Sequence, residues 1–217
     1  MKRVNASFTV TFAATALAAS LLAVPSVAQP VAESPAATPA GTVMTFHRKS
    51  SGSLGTFDGP VVWTFTHGTW EGRPAVIQMA RLGGSAFDPK THANMATLDA
   101  EGKAMMVFDP PVGFQWPLQV GKTWTSKHTV TMPATGRTTP LEVNWKVEAW
   151  EDVTVPAGTY KAYKVVTSNN FGEVETRWIA PAAGVLLAKR LVTRPATHPQ
   201  GAGELEGVLL SQVPPTK

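Results

Sequence analysis

The sequence predicts an all-β protein, an antiparallel meander that curls into a curved sheet, a half-barrel or a barrel, with a sandwich as the alternative. Three observations carry this expectation. Apolar and polar residues alternate with period two along most of the chain, and Gly- and Pro-containing turn signals separate the alternating runs. No segment presents three turns of an amphipathic helix, although residues 87–96 have the composition for a short one. Hydrophobic residues make up 43% of the 217 and charged residues 16%, the balance of a globular chain rather than a disordered one.

Taken in order, the chain opens on a segment with the layout of a secretory leader. Lys2 and Arg3 precede an apolar stretch over 8–24, Pro25 ends it, and Ser26-Val27-Ala28 offers the small residues of a cleavage site. As a helix that stretch would reach roughly 25 Å, short of a ~30 Å hydrocarbon core, so residues 1–28 read as a cleaved signal peptide rather than an anchor. Residues 29–41, QPVAESPAATPAG, have the Pro/Ala composition of a flexible linker. The remainder, 42–213, is expected to form one domain.

Within it, eleven strands are expected, at 42–48, 60–69, 73–82, 94–99, 103–109, 122–132, 138–155, 159–168, 173–180, 184–194 and 204–212. The clearest has Leu141, Val143, Trp145, Val147 and Ala149 interleaved with Glu142, Asn144, Lys146 and Glu148. Such a strand keeps one face in a core and the other in water. Val61, Trp63, Phe65 and His67 alternate with more polar residues in the same way, as do Trp124, Ser126, His128 and Val130. Trp150 falls out of phase with its strand, so its ring is expected to leave the apolar face. Asp58-Gly59-Pro60, Glu71-Gly72, Glu101-Gly102, Pro156-Ala157-Gly158 and the run from Pro181 to Gly184 supply turns.

Charge and cysteine content exclude several functions. Loss of Lys2 and Arg3 with the leader lowers the formal charge from +4 to +2, and the remaining basic residues are scattered, so no nucleic-acid partner is expected. With no Cys there can be no thiol nucleophile, disulfide framework, zinc–cysteine site or lipid-modified N-terminal cysteine.

Trp116-Pro117-Leu118-Gln119-Val120-Gly121-Lys122-Thr123-Trp124 resembles the PL-x-VGK-x-W signature of a group of secreted bacterial β-rich proteins, from domain-of-unknown-function families of which some are labelled TapB-like. The run from Glu151 to Tyr160, EDVTVPAGTY, is similar to the group's E-x-V-x-VPAGT-[FY]. Trp178-Ile179-Ala180-Pro181, followed by Gly184 and Lys189, resembles its W-[YI]-AP-x-x-G…K, with Ile179 standing where many members have Tyr. Trp70-Glu71-Gly72-Arg73-Pro74 resembles a hairpin of the same group. The resemblance implies an exported β-domain and brings no catalytic residues with it. In physical terms these motifs are turns and core. Pro156 and Pro181 lack a ladder donor and end strands, and Gly121 admits a tight entry into the next one.

Residues that could carry chemistry are scattered. Of the five His, His67 and His128 fall on apolar strand faces and could join an Asp in a metal or general-base site, but a His bonded to backbone at a strand end is the simpler expectation. Asp88, His92 and Met95 are close enough in sequence to suggest a copper ligand set. Asp99, Asp109, Glu151 and Asp152 are the carboxylates available for glycoside chemistry. No G-x-S-x-G elbow and no H-E-x-x-H motif occur.

Seven Trp are many for one core, each able to bury up to about 250 Å²; they read either as plain aromatic core or as the lining of a concave sheet that holds a ligand. The leading expectation is therefore a non-enzymatic exported domain, periplasmic or secreted. It would bind a hydrophobic or amphiphilic envelope component on the concave face of its sheet through Trp63, Phe65, Trp124, Trp145 and Trp178. It would need no cofactor or metal, and would not insert stably in a membrane once the leader is cleaved; the sequence sets no oligomeric state. The alternatives are an envelope interaction protein docking through an open sheet edge, or a hydrolase or metal enzyme in which two of His67, His128, Asp109 and Asp152 converge.

Overall fold

The structure, a computed structural model, describes residues 30–215; the expected leader lies outside them. Twelve strands follow one another: β1 (Val43–Gly52), β2 (Phe57–Trp70), β3 (Arg73–Ala80), β4 (Gly83–Phe87), β5 (Asn94–Leu98) and β6 (Ala104–Val112) in the first half. The second half holds β7 (Thr123–Met132), β8 (Arg137–Val155), β9 (Gly158–Asn169), β10 (Val174–Ala180), β11 (Val185–Arg194) and β12 (Gly203–Val213). Each strand pairs antiparallel with the next, and β1 also pairs with β12, from Val43 opposite Val213 to Gly52 opposite Gly203. The meander is thus a closed barrel, the third of the expected forms. With every strand hydrogen-bonded on both sides, the sandwich alternative is ruled out.

Eleven strands match the sequence expectation and β4 is additional. Its sequence, GGSAF, opens with two glycines, which strands disfavour. The backbone gives the reason for one of them. A Cβ on Gly84 would stand 1.9 Å from the Gln78 carbonyl oxygen and 2.7 Å from the Met79 sulfur, because β3 and β4 are pressed together there. Gly84→Ala is accordingly expected to destabilise the barrel by about 1–3 kcal/mol, the usual range for overpacking, as read from urea denaturation midpoints.

The helix allowed for at 87–96 does not form. Asp88 instead closes a tight turn, its Oδ1 accepting from the Lys90 and Thr91 amides at 3.0 and 2.8 Å and from the Thr91 hydroxyl at 2.8 Å. Side-chain acceptors of this kind compete with helix propagation. Among the described residues the only helical turn is the 3₁₀ segment Pro181–Ala183.

Register sets which side chains meet inside. Trp124 lies opposite Trp145, Ser126 opposite Val143 and His128 opposite Leu141, so the alternation seen in the sequence aims one set inward. The other set faces out and includes the Lys127–Glu142 ion pair at 3.4 Å. A β-bulge between Val147 and Ala149 then corrects the phase of β8. Trp150 consequently does not leave the apolar face; it packs on Tyr163 at 4.5 Å, in the same cluster as Trp145 and Val147.

The connection between β6 and β7 packs into that same cluster. Leu118 is wholly buried against Trp145, Val147, Tyr163, Val165 and Ile179. Gly121, at φ +88°, turns the chain so that its amide donates to the Val147 carbonyl before β7 begins. The Trp116–Trp124 motif is therefore architectural. Residues 30–41, linker-like in composition, are bound to the barrel. Ala32 and Leu118 exchange backbone hydrogen bonds, Tyr163 donates to the Pro30 carbonyl at 2.6 Å, and the Gly41 amide donates to the Phe65 carbonyl.

Candidate ligand-binding lumen

The barrel holds a partly open cavity of about 370 Å³. Its volume falls in the ~300–1,000 Å³ range of small-molecule sites. Aromatic and aliphatic side chains form much of the wall, among them Trp63, Phe87, Phe108, Phe114, Trp145 and Leu187. Their placement follows from strand parity, except for Leu187, which lies in the irregular stretch of the β10–β11 pairing, and Phe114, which comes from the β6–β7 connection and meets Trp145 edge-on at 5.5 Å.

Two polar regions interrupt this apolar wall. The first comprises His92, Asn94 and Thr97, from the end of the β4–β5 turn and from β5. His92 Nε2, Asn94 Oδ1 and Thr97 Oγ1 are buried and have no hydrogen-bond partner, and all three residues line the cavity. The His92 ring stacks on Phe87 at 4.3 Å, and its backbone sits at φ +56°. Burial, aided by the nearby Arg177 charge, pushes the imidazole down to about 4, so it is neutral at physiological pH.

The second is an ion cluster on β10 and β11, in which a buried Glu175 meets two half-buried arginines. Arg177 lies opposite Arg190 across these strands, and Glu175 serves both. Arg177 grips the carboxylate through Nε at 2.6 Å and Nη2 at 2.7 Å, while Arg190 donates through Nε at 2.5 Å. Burial alone would raise the Glu175 pKa, but the two guanidiniums overcome it and hold the carboxyl at about 2. Burial likewise opposes the charge on Arg177, yet Glu175 raises its pKa above the ordinary value. Beside this cluster Arg194 pairs with Glu173 at 2.5 Å.

A second, smaller space of about 70 Å³ shares Trp63, Leu187 and Arg190 with the first and adds Arg48 from β1. Arg48 donates to the Leu54 carbonyl at 2.6 Å and to the Ser50 hydroxyl at 3.2 Å.

Of the residues expected from sequence to contact a ligand, Trp63 and Trp145 line the cavity. Trp124 stacks behind Trp145 with ring centroids 5.2 Å apart and planes 8° from parallel. Phe65 is fully buried in the core beside Met44 and Leu209. Trp178 is engaged elsewhere: its indole donates to Glu151 at 2.7 Å, and the Lys164 and Lys189 ammoniums stand 5.9 and 5.7 Å from its ring.

The chemical alternatives find separate local partners. His67 Nε2 lies 2.8 Å from the Thr38 carbonyl. His128 is held between the Pro110 carbonyl at 2.7 Å and the Ser126 hydroxyl at 2.8 Å. Asp109 is exposed, and Asp152 pairs with Lys161 at 2.9 Å. Of the suggested copper set, Asp88 is occupied by its own turn and Met95 is buried beside Trp70, Ala86 and Leu98. Among the described residues no group of three His, Cys, Asp or Glu is placed to hold a metal.

Apart from His92, which the sequence suggests as a copper ligand, the polar lining of the lumen is absent from the sequence expectations, though a signal for its charged part exists. Glu175 and Arg177 alternate in phase with buried Ile179, and Arg190 in phase with buried Val192. Charges on the inward parity of a strand are costly unless paired, and here they are paired across strands.

Fold and cavity define a closed twelve-stranded antiparallel barrel with a lumen that is apolar on some walls and charged on others. No protein-family model matches the chain, and no curated protein matches it in sequence, so the likeness to the TapB-like group rests on its motifs alone. Among solved structures the chain is similar to a protein described as exported, with a YmcC-like fold, from Bacteroides fragilis. The TM-score is 0.47 and the identity 11%, over 83% of this chain and 99% of that one. It is also similar to the hypothetical lipoprotein YmcC of Escherichia coli, with a TM-score of 0.43 and 11% identity over 79% of this chain and 85% of that one.

Proposed function

We propose that this protein is an exported, non-enzymatic β-barrel of the bacterial envelope, periplasmic or secreted, that holds a small apolar or amphiphilic molecule in its lumen. The observation that supports this most is the composition of the cavity wall. Trp63, Phe87, Phe108 and Trp145 offer apolar contact, while His92, Asn94 and Thr97 present buried polar atoms with nothing bonded to them. Buried polar atoms are normally satisfied, so such a trio in a hollow is what a bound molecule with a polar group would complete. Export is supported by the basic, apolar and small-residue succession of 1–28. An aqueous setting is supported by the ion pairs on the outer faces of β7 to β9, where a lipid-spanning barrel would carry an apolar band. The alternative of docking through an open sheet edge loses its basis, because each strand has two paired neighbours.

The neutral fluorophore N-phenyl-naphthylamine tests the proposal. Titrated into the purified protein, it should brighten saturably at about one equivalent and quench tryptophan emission, since Trp63 and Trp145 border the cavity. Fluorescence no higher than with urea-unfolded protein, together with no ligand in organic extracts by mass spectrometry, would refute luminal binding.

A further inference from the structure

The charges in the lumen do not cancel, and the imbalance is local. Glu173 and Arg194 neutralise one another, whereas Glu175 alone serves both Arg177 and Arg190. Arg48 has only a hydroxyl and a carbonyl as partners among the described residues. It borders the same 70 Å³ space as Arg190. Two guanidiniums thus approach one another at a place where the nearest carboxylate is already shared. Burial, and then the charge on Arg190, lower the Arg48 pKa, as expected for like charges held close in a poorly solvated setting. Arg190 spends only its Nε on Glu175, and among the described residues its two terminal nitrogens donate to no protein side chain. A guanidinium with its fork unoccupied matches the geometry of a carboxylate. Around this place stand Phe46, Val61, Trp63, Leu187 and Leu205, and the larger cavity begins on the other side of Trp63, Leu187 and Arg190.

The geometry points to an amphiphile with a carboxylate head, a medium-chain fatty acid or a molecule of that chemistry, whose head is received by Arg48 and Arg190 and whose tail lies along Trp63 into the larger cavity. The assignment rests on the luminal reading above and adds to it the charge of the ligand and the residues that select it. Entry of the anion offsets a local surplus of half-buried positive charge, which a neutral or cationic amphiphile of equal length cannot do.

Calorimetric titration of the purified protein with decanoate, decanol, decylamine and acetate tests this. Decanoate should bind at least about tenfold more tightly than decanol, the return expected from a charge-assisted hydrogen bond, and decylamine and acetate should bind more weakly still. Arg48→Gln should remove most of the preference for decanoate over decanol while N-phenyl-naphthylamine binds as before, and Arg48→Lys should restore part of it. Equal affinity for decanoate and decanol would overturn the head-group assignment and leave luminal binding standing. Acetate as tight as decanoate would overturn it in favour of a bare anion site. Failure of every amphiphile and of the fluorophore would remove both proposals. The head-group series uses the unmutated protein, so its outcome is independent of whether any variant folds.

Discussion

Glu175→Ala is expected to cost about 3–5 kcal/mol, the usual penalty for removing one partner from a buried ionic group. The substitution leaves Arg177 and Arg190 opposite one another across β10 and β11 without the carboxylate that holds them. For a domain of this size the loss corresponds to a fall in Tm of roughly 6–20 °C. A companion effect appears in acid. Because the folded-state pKa of Glu175 is depressed from 4.5 to about 2, its stabilisation is complete above pH 4.5 and disappears as the pH falls toward 2. That difference is worth about 3 kcal/mol. In Glu175→Gln the part of the acid slope due to this residue should vanish. Urea midpoints measured for both proteins across the acid range check this. Wild type and Glu175→Gln losing stability in parallel from about pH 5 down to about pH 2 would show that the carboxylate is not coupled to folding.

Trp145→Ala should destabilise by about 3–5 kcal/mol, whereas Lys146→Ala, one residue along, should change stability by under about 0.5 kcal/mol. Trp145 is 3% exposed, stacks on Trp124, meets Phe114 edge-on and donates from its indole to Ser126 at 2.9 Å. Lys146 points outward, 57% exposed, with Glu148 at 3.8 Å. Urea unfolding of both variants checks the contrast; similar midpoints would mean that β8 presents the opposite face to the core.

The architecture is legible in the sequence where side-chain parity is strong. In β8 the run LEVNWKV states its two faces outright, and in β7 Trp124, Ser126, His128 and Val130 do the same. It is less legible where backbone rather than side chain decides. Gly83 and Gly84 hide β4, because close approach of strands requires the absence of a Cβ that ordinarily marks a strand former. The bulge at Val147–Ala149, which returns Trp150 to the core, has no compositional signature. Barrel closure depends on β1 meeting β12, a pairing of distant segments that local alternation does not encode. The candidate site divides along the same line. Trp63 and Trp145 in its aromatic wall can be anticipated, since apolar parity suffices to place them. Glu175, Arg177 and Arg190 are harder to anticipate: their phase with buried Ile179 and Val192 is a signal, but isolated charges on a strand normally face solvent, and only the cross-strand register shows that the two arginines share one carboxylate.

The seam between β1 and β12 also bears on how the molecule is made. These strands lie at opposite ends of the domain, so the ring is completed only when the last segment is present. During synthesis, residues 43–52 would wait with one flank of amides and carbonyls unclaimed until residues 203–213 emerged. Such long-separation contacts make assembly slow, and the open flank is a template for association with other chains. Production of this protein is thus most vulnerable in the interval before its final strand docks, and escorts that shield a nascent ribbon matter most in that interval.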